Sequence, residues 1–258
     1  YKKWKYKPTR IYEDYNPMNQ KKKIILVTGS GKRIGREIVL GLSNLNKNYK
    51  FILHFNKSHS EVINLKKKIK RIGIESEIIN FDLNNLDNIK SFSINVEKIF
   101  GGVDILINNA SIFEEKKLHN ISEDDFDRMM NVNLKSPFFL SKFLSIGMKK
   151  RKYGKIINLT DSIGVAETWK DYSHYCISKG ALETMTKALS LDLAPLIQVN
   201  SIAPGKILKP INFSDKLYKK EYNTKDGIQD IVNTTHLLIQ SRIITGKSFK
   251  IDNIRNSD

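Results

Sequence analysis

Short, uninterrupted apolar runs alternate along this chain with longer stretches in which apolar residues recur every third or fourth position. IILVT (24–28) is the first run. In the IGREIVLGLSNL that follows, Ile34, Ile38, Val39, Leu42 and Leu45 share one helical face. The alternation continues through FILHF (51–55), a lysine-rich helix near 59–72, ESEIINF (75–81), a helix near 85–99 and VDILIN (103–108). A long helix is predicted from Ser122 to Lys150, with Ser122 and Asp125 in capping-box spacing. KIINLT (155–160), a helix near 173–194, QVNSIA (198–203) and a strand over 248–251 complete the series. Strands apolar on both faces, separated by helices, predict an α/β fold. The expectation is a single doubly wound, Rossmann-type parallel sheet of seven strands covered on both sides, over residues 23–258. Such a sheet binds ligands at the carboxyl ends of its strands. Residues 1–22 are polar and basic without either period, and are expected to be a disordered extension in which Met18 would be the natural start.

Composition narrows the class. With 40% hydrophobic and 28% charged residues among 258, a core can form and wholesale disorder is excluded. No run of apolar residues is long enough for a membrane span, and residues 1–23 lack the apolar centre of a secretory signal. One cysteine, Cys176, makes neither an internal disulfide nor a cysteine-based zinc site, so no metal is expected and a reducing, cytoplasmic setting is. The net charge of +17 comes from lysine spread through the chain beside Ile and Asn. Without a clustered face carrying interleaved aromatics, nucleic acid is not the expected partner. The field does favour an anionic ligand.

TGSGKRIG (28–35) stands between the first strand and the first helix. Its glycines allow a tight turn, and the helix start offers N–H groups and a positive dipole end to a pyrophosphate. At the end of the second strand, where an acid would hold a ribose 2′-hydroxyl, the chain reads His54-Phe55-Asn56-Lys57-Ser58. Arg33, Lys57 and Ser58 suit a 2′-phosphate instead, which points to NADP(H).

Tyr175 and Lys179 lie four apart on a predicted helix and so share a face. An ammonium there is expected to lower the tyrosine pKa and make the phenol a proton donor near neutrality. NLTDS (158–162) offers Asp161 and Ser162 as polar partners at a strand's carboxyl end. Pro137 follows Asn133 by four residues, so the carbonyl of residue 133 lacks its helical donor and could hold a relay water.

Taken in order, Thr28-Gly29-x-x-x-Arg33-x-Gly35, Asp82-Leu83, Asn108-Asn109-Ala110-Ser111, Asn133, Tyr175-x-x-x-Lys179 and Pro204-Gly205 resemble the short-chain dehydrogenase/reductase family over residues 23–252. Within it, Arg33, the His54–Ser58 segment, NNASIF (108–113), Asp161 and the closing TGKSFKID (245–252) are most similar to pteridine reductases and bacterial dihydromonapterin (dihydrofolate) reductases. The resemblance departs at Lys57, where relatives carry arginine, and at Asp252-Asn253-Ile254, where they carry Asp-Gly-Gly.

That resemblance implies roles. Tyr175 would be the proton donor, Lys179 would lower its pKa and bind the nicotinamide ribose, and Asn133 would complete the catalytic set. Asp161 would pair with Tyr175 to protonate a ring nitrogen. Gly29, Arg33, Ile34, His54, Lys57, Ser58, Asp82, Leu83, Asn109, Ala110, Pro204 and Gly205 would line the cofactor, with Asp82 at the adenine. Phe113 would stack on a pterin, and Ser111 would contact substrate or cofactor phosphate. The implied reaction is NADPH-dependent reduction of a dihydropterin by a dimer or tetramer. A ketoreductase acting on a 3-oxoacyl thioester or another carbonyl is the alternative if Ser162 rather than Asp161 partners Tyr175. A non-enzymatic basic scaffold is the second.

Overall fold

The structure is a computed structural model that describes residues 22–166, 168–208 and 224–252. Seven parallel strands form one sheet: β1 (Lys23–Val27), β2 (Tyr49–Phe55), β3 (Glu75–Asn80), β4 (Ile105–Asn108), β5 (Gly154–Leu159), β6 (Ile197–Pro204) and β7 (Ser248–Ile251). Their order is β3-β2-β1-β4-β5-β6-β7, and every neighbouring pair is parallel. The central strands are mostly apolar because helices cover both sides. Ile25, Leu26, Val27, Ile105, Leu106 and Ile107 are fully buried. Each such side chain contributes roughly 2 kcal/mol by leaving water.

The helices are α1 (Arg33–Leu45), α2 (His59–Arg71), α3 (Ile89–Lys98), α4 (Glu123–Met130), α5 (Ser136–Lys150), α6 (Ser162–Ala166), α7 (Ser173–Asp192) and α8 (Thr224–Gln240). Two core clusters divide the faces. Ile38, Val39 and Leu42 of α1 join Ile231 and Leu238 of α8 on one side. Leu140 and Leu144 of α5 join Leu182 and Leu189 of α7 on the other. The expected α1 face holds except at Leu45, which is 48% exposed because the helix ends there.

Two expectations are corrected. The predicted helix over Ser122–Lys150 is two helices separated by a π-helical turn at Asn131–Lys135, where the Ser136 N–H reaches back to the Asn131 carbonyl. Pro137, which cannot donate to residue 133, stands just beyond that turn. Its start is as expected: Ser122 and Asp125 form a reciprocal capping box. Helices α6 and α8 were not foreseen. The α8 sequence carries Ile228, Ile231, Val232, Leu238 and Ile239 at helical spacing, but Gly227 and an Asn-Thr-Thr run dilute the pattern. The expected N-terminal extension lies, but for Lys22, outside the described residues, as does the segment 209–223.

The strand order reverses between β1 and β4, so a crevice opens at their carboxyl ends.

Candidate active site

The glycine turn after β1 is built around two anchors. Gly29 takes φ +63°, a left-handed conformation open to glycine without strain. Its N–H donates to His54 Nδ1 at 3.1 Å, while His54 Nε2 meets the Phe81 carbonyl at 3.0 Å. Since a backbone N–H can only donate, Nδ1 is the acceptor and Nε2 carries the proton. Burial holds the imidazole down at about 4, so the ring is neutral. The second anchor is Asn109, whose Nδ2 donates to the Thr28 and Gly29 carbonyls at 2.8 and 3.1 Å. The N–H groups of Asn109 and Ala110 both donate to Thr28 Oγ1 at 3.0 Å. His54, expected as a cofactor contact, is 1% exposed with both nitrogens spent inside the protein, so it serves a cofactor through Gly29 rather than by touch.

The turn leaves no room for side chains. A Cβ on Gly35 would stand 2.4 Å from Asn109 Nδ2, and one on Gly31 would stand 2.6 Å from Ser58 Oγ. Lys57 and Ser58 follow β2 at this end. Arg33 lies on the surface, and its Nη2 donates to the Leu208 carbonyl at 3.3 Å. Its φ of +52° is costly for a residue with a Cβ. Beyond Gly31 a crevice of about 280 Å³ between α1 and α2 is bordered by Arg36, Lys67, Lys68 and Arg71, which the motif reading did not include, and by Glu61, which pairs with Lys32 at 2.7 Å. Leu83 is buried, and the exposed Asp82 accepts from the Asn84 N–H at 3.0 Å.

At the other end, Tyr175 Oη donates to Asp161 Oδ2 at 2.7 Å. Asp161 Oδ1 accepts the Gly164 N–H at 2.5 Å, which fixes the carboxylate. Ser162, the other candidate, donates to Asp252 at 2.7 Å. Between the two open choices at β5, Asp161 is the residue on Tyr175. Lys179 Nζ donates to the Leu159 carbonyl at 2.8 Å and lies 5.8 Å from the Tyr175 ring centre. The expected depression of the tyrosine pKa is overturned. Burial, then the Asp161 charge and hydrogen bond, push Tyr175 well above 10. The phenol therefore holds its proton. Lys179 is pushed down to about 8 by burial, against the pull of Asp161.

Asn133 is fully buried in the π-helical turn. Its Oδ1 accepts the Ile112 N–H at 2.9 Å, and its Nδ2 donates to the Ile112 carbonyl and to Ser178 Oγ, at 3.0 and 3.1 Å. The amide thus fastens the strand-exit loop carrying Phe113 to the helix carrying Tyr175. Phe113 meets Tyr175 edge-on at 4.7 Å and stacks on Tyr172 at 4.2 Å, with Trp169 at 6.1 Å. Tyr172 and Trp169 went unnoticed in the sequence because isolated aromatics in a loop carry no spacing signal. Ser111 is exposed at the rim, its Oγ on the Ile112 carbonyl. Pro204 ends β6, and Gly205 follows it at the same end of the sheet.

A dinucleotide fits these residues. The glycine turn leads into the start of α1, whose N–H groups take no side-chain cap, and the buried Lys179 ammonium makes one hydrogen bond although it has three to give.

The short chain dehydrogenase family model matches residues 23–217. The 3-oxoacyl-[acyl-carrier-protein] reductase FabG of Buchnera aphidicola is 34% identical over 245 residues, covering 91% of this chain and 98% of that protein. The solved structure of FolM alternative dihydrofolate reductase 1 from Brucella canis, complexed with NADP, superposes with a TM-score of 0.80 at 26% identity, over 90% of this chain and 93% of that one. An acetoin dehydrogenase from Enterobacter cloacae shares the fold at a TM-score of 0.79 and 24% identity, over 90% and 94%.

Proposed function

The chain belongs to the short-chain dehydrogenase family and is a nicotinamide-dependent oxidoreductase, and from that premise we propose that it is an NADPH-dependent reductase of a dihydropterin. The observation that carries the reading is the Tyr175–Asp161 hydrogen bond of 2.7 Å, a carboxylate where a carbonyl reductase would use a hydroxyl. The likeness to the NADP-bound alternative dihydrofolate reductase supports it. A compact homo-oligomer and a cytoplasmic setting are carried over from the family resemblance and the cysteine usage; no helix among the described residues is long and apolar enough to cross a membrane.

NADPH, which the glycine turn and Lys179 would hold, would supply a hydride to the carbon of a C=N bond. The rest falls to the chain. Tyr175, neutral because it is buried beside a carboxylate, gives its proton to the ring nitrogen as electron density arrives there. Asp161 accepts from the phenol beforehand and orients it. The Lys179 ammonium, 5.8 Å from the ring centre, supplies a positive charge that favours the phenolate left behind. Asn133 keeps the Phe113 loop in register with Tyr175. Phe113 and Tyr172 give a flat heterocycle an aromatic wall.

The second reading is reduction of a 3-oxoacyl thioester or another carbonyl, favoured by the 34% identity to the Buchnera enzyme and by Ser162 standing next to Asp161. NADPH oxidation with dihydromonapterin, dihydrofolate and an acetoacetyl thioester, beside a Tyr175→Phe control, separates the two. Turnover with a dihydropterin that disappears in the control is expected. Turnover with the thioester alone selects the second reading.

A further inference from the structure

Asp161 and Ser162 are adjacent just beyond the carboxyl end of β5, and the sequence offers both as partners for Tyr175. What separates them lies 90 residues away. Ser162 is 5% exposed and its Oγ donates to Asp252 Oδ2 at 2.7 Å. Asp252 follows β7 and is held against the Pro204–Gly205 turn. A Cβ on Gly205 would stand 2.1 Å from Asp252 Oδ1, and the Gly205 N–H donates to the Ile251 carbonyl at 2.8 Å. The carboxylate is therefore seated by the last strand on one side and a glycine on the other, with one oxygen turned to Ser162.

We propose that Asp252 is a positioning residue that draws the Ser162 hydroxyl away from Tyr175, leaves the phenol to Asp161, and so favours protonation of a ring nitrogen over reduction of a carbonyl. This rests on the pterin-reductase reading above. A hydroxyl bound to a carboxylate makes one of the stronger neutral-to-charged hydrogen bonds. Take the carboxylate away and a buried O–H donor is left unsatisfied, a state it leaves by finding another acceptor. The Asp161 carboxylate, next to Ser162 in sequence, and the Tyr175 oxygen on α7 that is bonded to it are acceptors at this end of the sheet. A hydroxyl placed there can donate to a substrate carbonyl, which an ionised carboxylate cannot.

The test compares dihydropterin and acetoacetyl-thioester reduction in wild type, Asp252→Ala, Ser162→Ala and the double variant, with melting temperatures recorded. Asp252→Ala is expected to lower the dihydropterin-to-thioester ratio of kcat by about tenfold or more. Removing Ser162 in that background should bring the ratio back to that of Ser162→Ala, a rescue that loss of a merely structural carboxylate would not show. Asp252→Leu keeps a similar volume without an acceptor, shifts the ratio in the same direction, and serves as the test should the alanine variant fail to fold. A folded variant with an unmoved ratio, or a double variant as impaired as Asp252→Ala, overturns the proposal. If wild type reduces no dihydropterin, the underlying reading falls and takes this one with it; if wild type does and the ratio is unmoved, this proposal falls alone.

Discussion

The Lys179 ammonium donates to the Leu159 carbonyl at 2.8 Å, at the end of the strand that also presents Asp161. Lys179 on α7 is therefore tied to the end of β5, and Asp161 follows that strand by two residues, in the short connection before α6. Burial holds Lys179 at about 8, so its charge is lost as pH rises through that value. Turnover is expected to decline above pH 8 for this reason. Stability should not follow it down. The unfolded chain binds more protons than the folded one between about 8 and the ordinary lysine value of 10.5, so this group's contribution to stability rises across that window. A pH–rate profile with parallel thermal melts checks both, and a rate that stays level to pH 10 would mean that the Lys179 charge does not support the proton transfer.

Asp161→Asn leaves a group of the same size that can still accept from Tyr175 but carries no charge. Dihydropterin reduction should fall by roughly a hundredfold. Cofactor binding, followed by quenching of protein fluorescence, should be unchanged within about twofold, since the substitution is distant from the glycine turn. An Asp161→Asn protein with full pterin turnover would falsify the pairing as the source of the proton.

His54 gives a prediction about the cofactor end. Its folded-state pKa is about 4 against an ordinary 6.5, so the unfolded chain takes up a proton first as pH falls. The stability that the neutral ring contributes is complete above 6.5 and is lost progressively towards pH 4, a difference of about 3 kcal/mol. His54→Phe should remove that pH dependence while raising the apparent Kd for NADPH, because Gly29 loses its acceptor. Denaturant melts at pH 4.5 and 7 read the first effect directly.

Gly35→Ala places a methyl group 2.4 Å from Asn109 Nδ2 and 2.5 Å from the Gly29 carbonyl. One of those contacts is backbone and cannot swing aside. A loss of about 1–3 kcal/mol in stability is expected, with a weaker hold on NADPH. Measured stability equal to wild type would mean the turn is looser than its contacts imply.

Phe113→Ala removes the centre of an aromatic cluster with Tyr172 and Tyr175. For a stacking wall the KM for dihydropterin should rise by about tenfold, with a smaller change for the acetoacetyl thioester, which has no flat ring to cover. An equal effect on both substrates would make Phe113 a core anchor instead.

The sheet was legible because seven short apolar runs are each bounded by glycine or polar residues, and burial on both faces leaves few other ways to satisfy them. The glycine turn and the Tyr175–Lys179 spacing could be read because their function depends on residues close in sequence. What stayed hidden depends on distant residues. His54 reaches Gly29 across 25 positions and Ser162 reaches Asp252 across 90, and neither distance leaves a local pattern. The direction of the Tyr175 shift was misread for a related reason. The ammonium four residues away and the Asp161 carboxylate were both visible, whereas the burial that contributes most to the shift emerges only on folding.

Asn133 has a consequence for how such a site can change. Its one amide ties the π-helical turn, Ile112 and Ser178 together, so the wall at Phe113 and the helix that presents Tyr175 form a single rigid jaw. A new substrate shape could not be accommodated by resculpting residues 111–113 without also dragging the proton donor off its mark. The backbones of Tyr172 and Trp169 are bonded to the start of the same helix through Cys176, but their side chains stand outside the Asn133 bonds. It is there, at the lip that faces the jaw, that variants of this chain could trade one flat ring for another and leave the chemistry where it is.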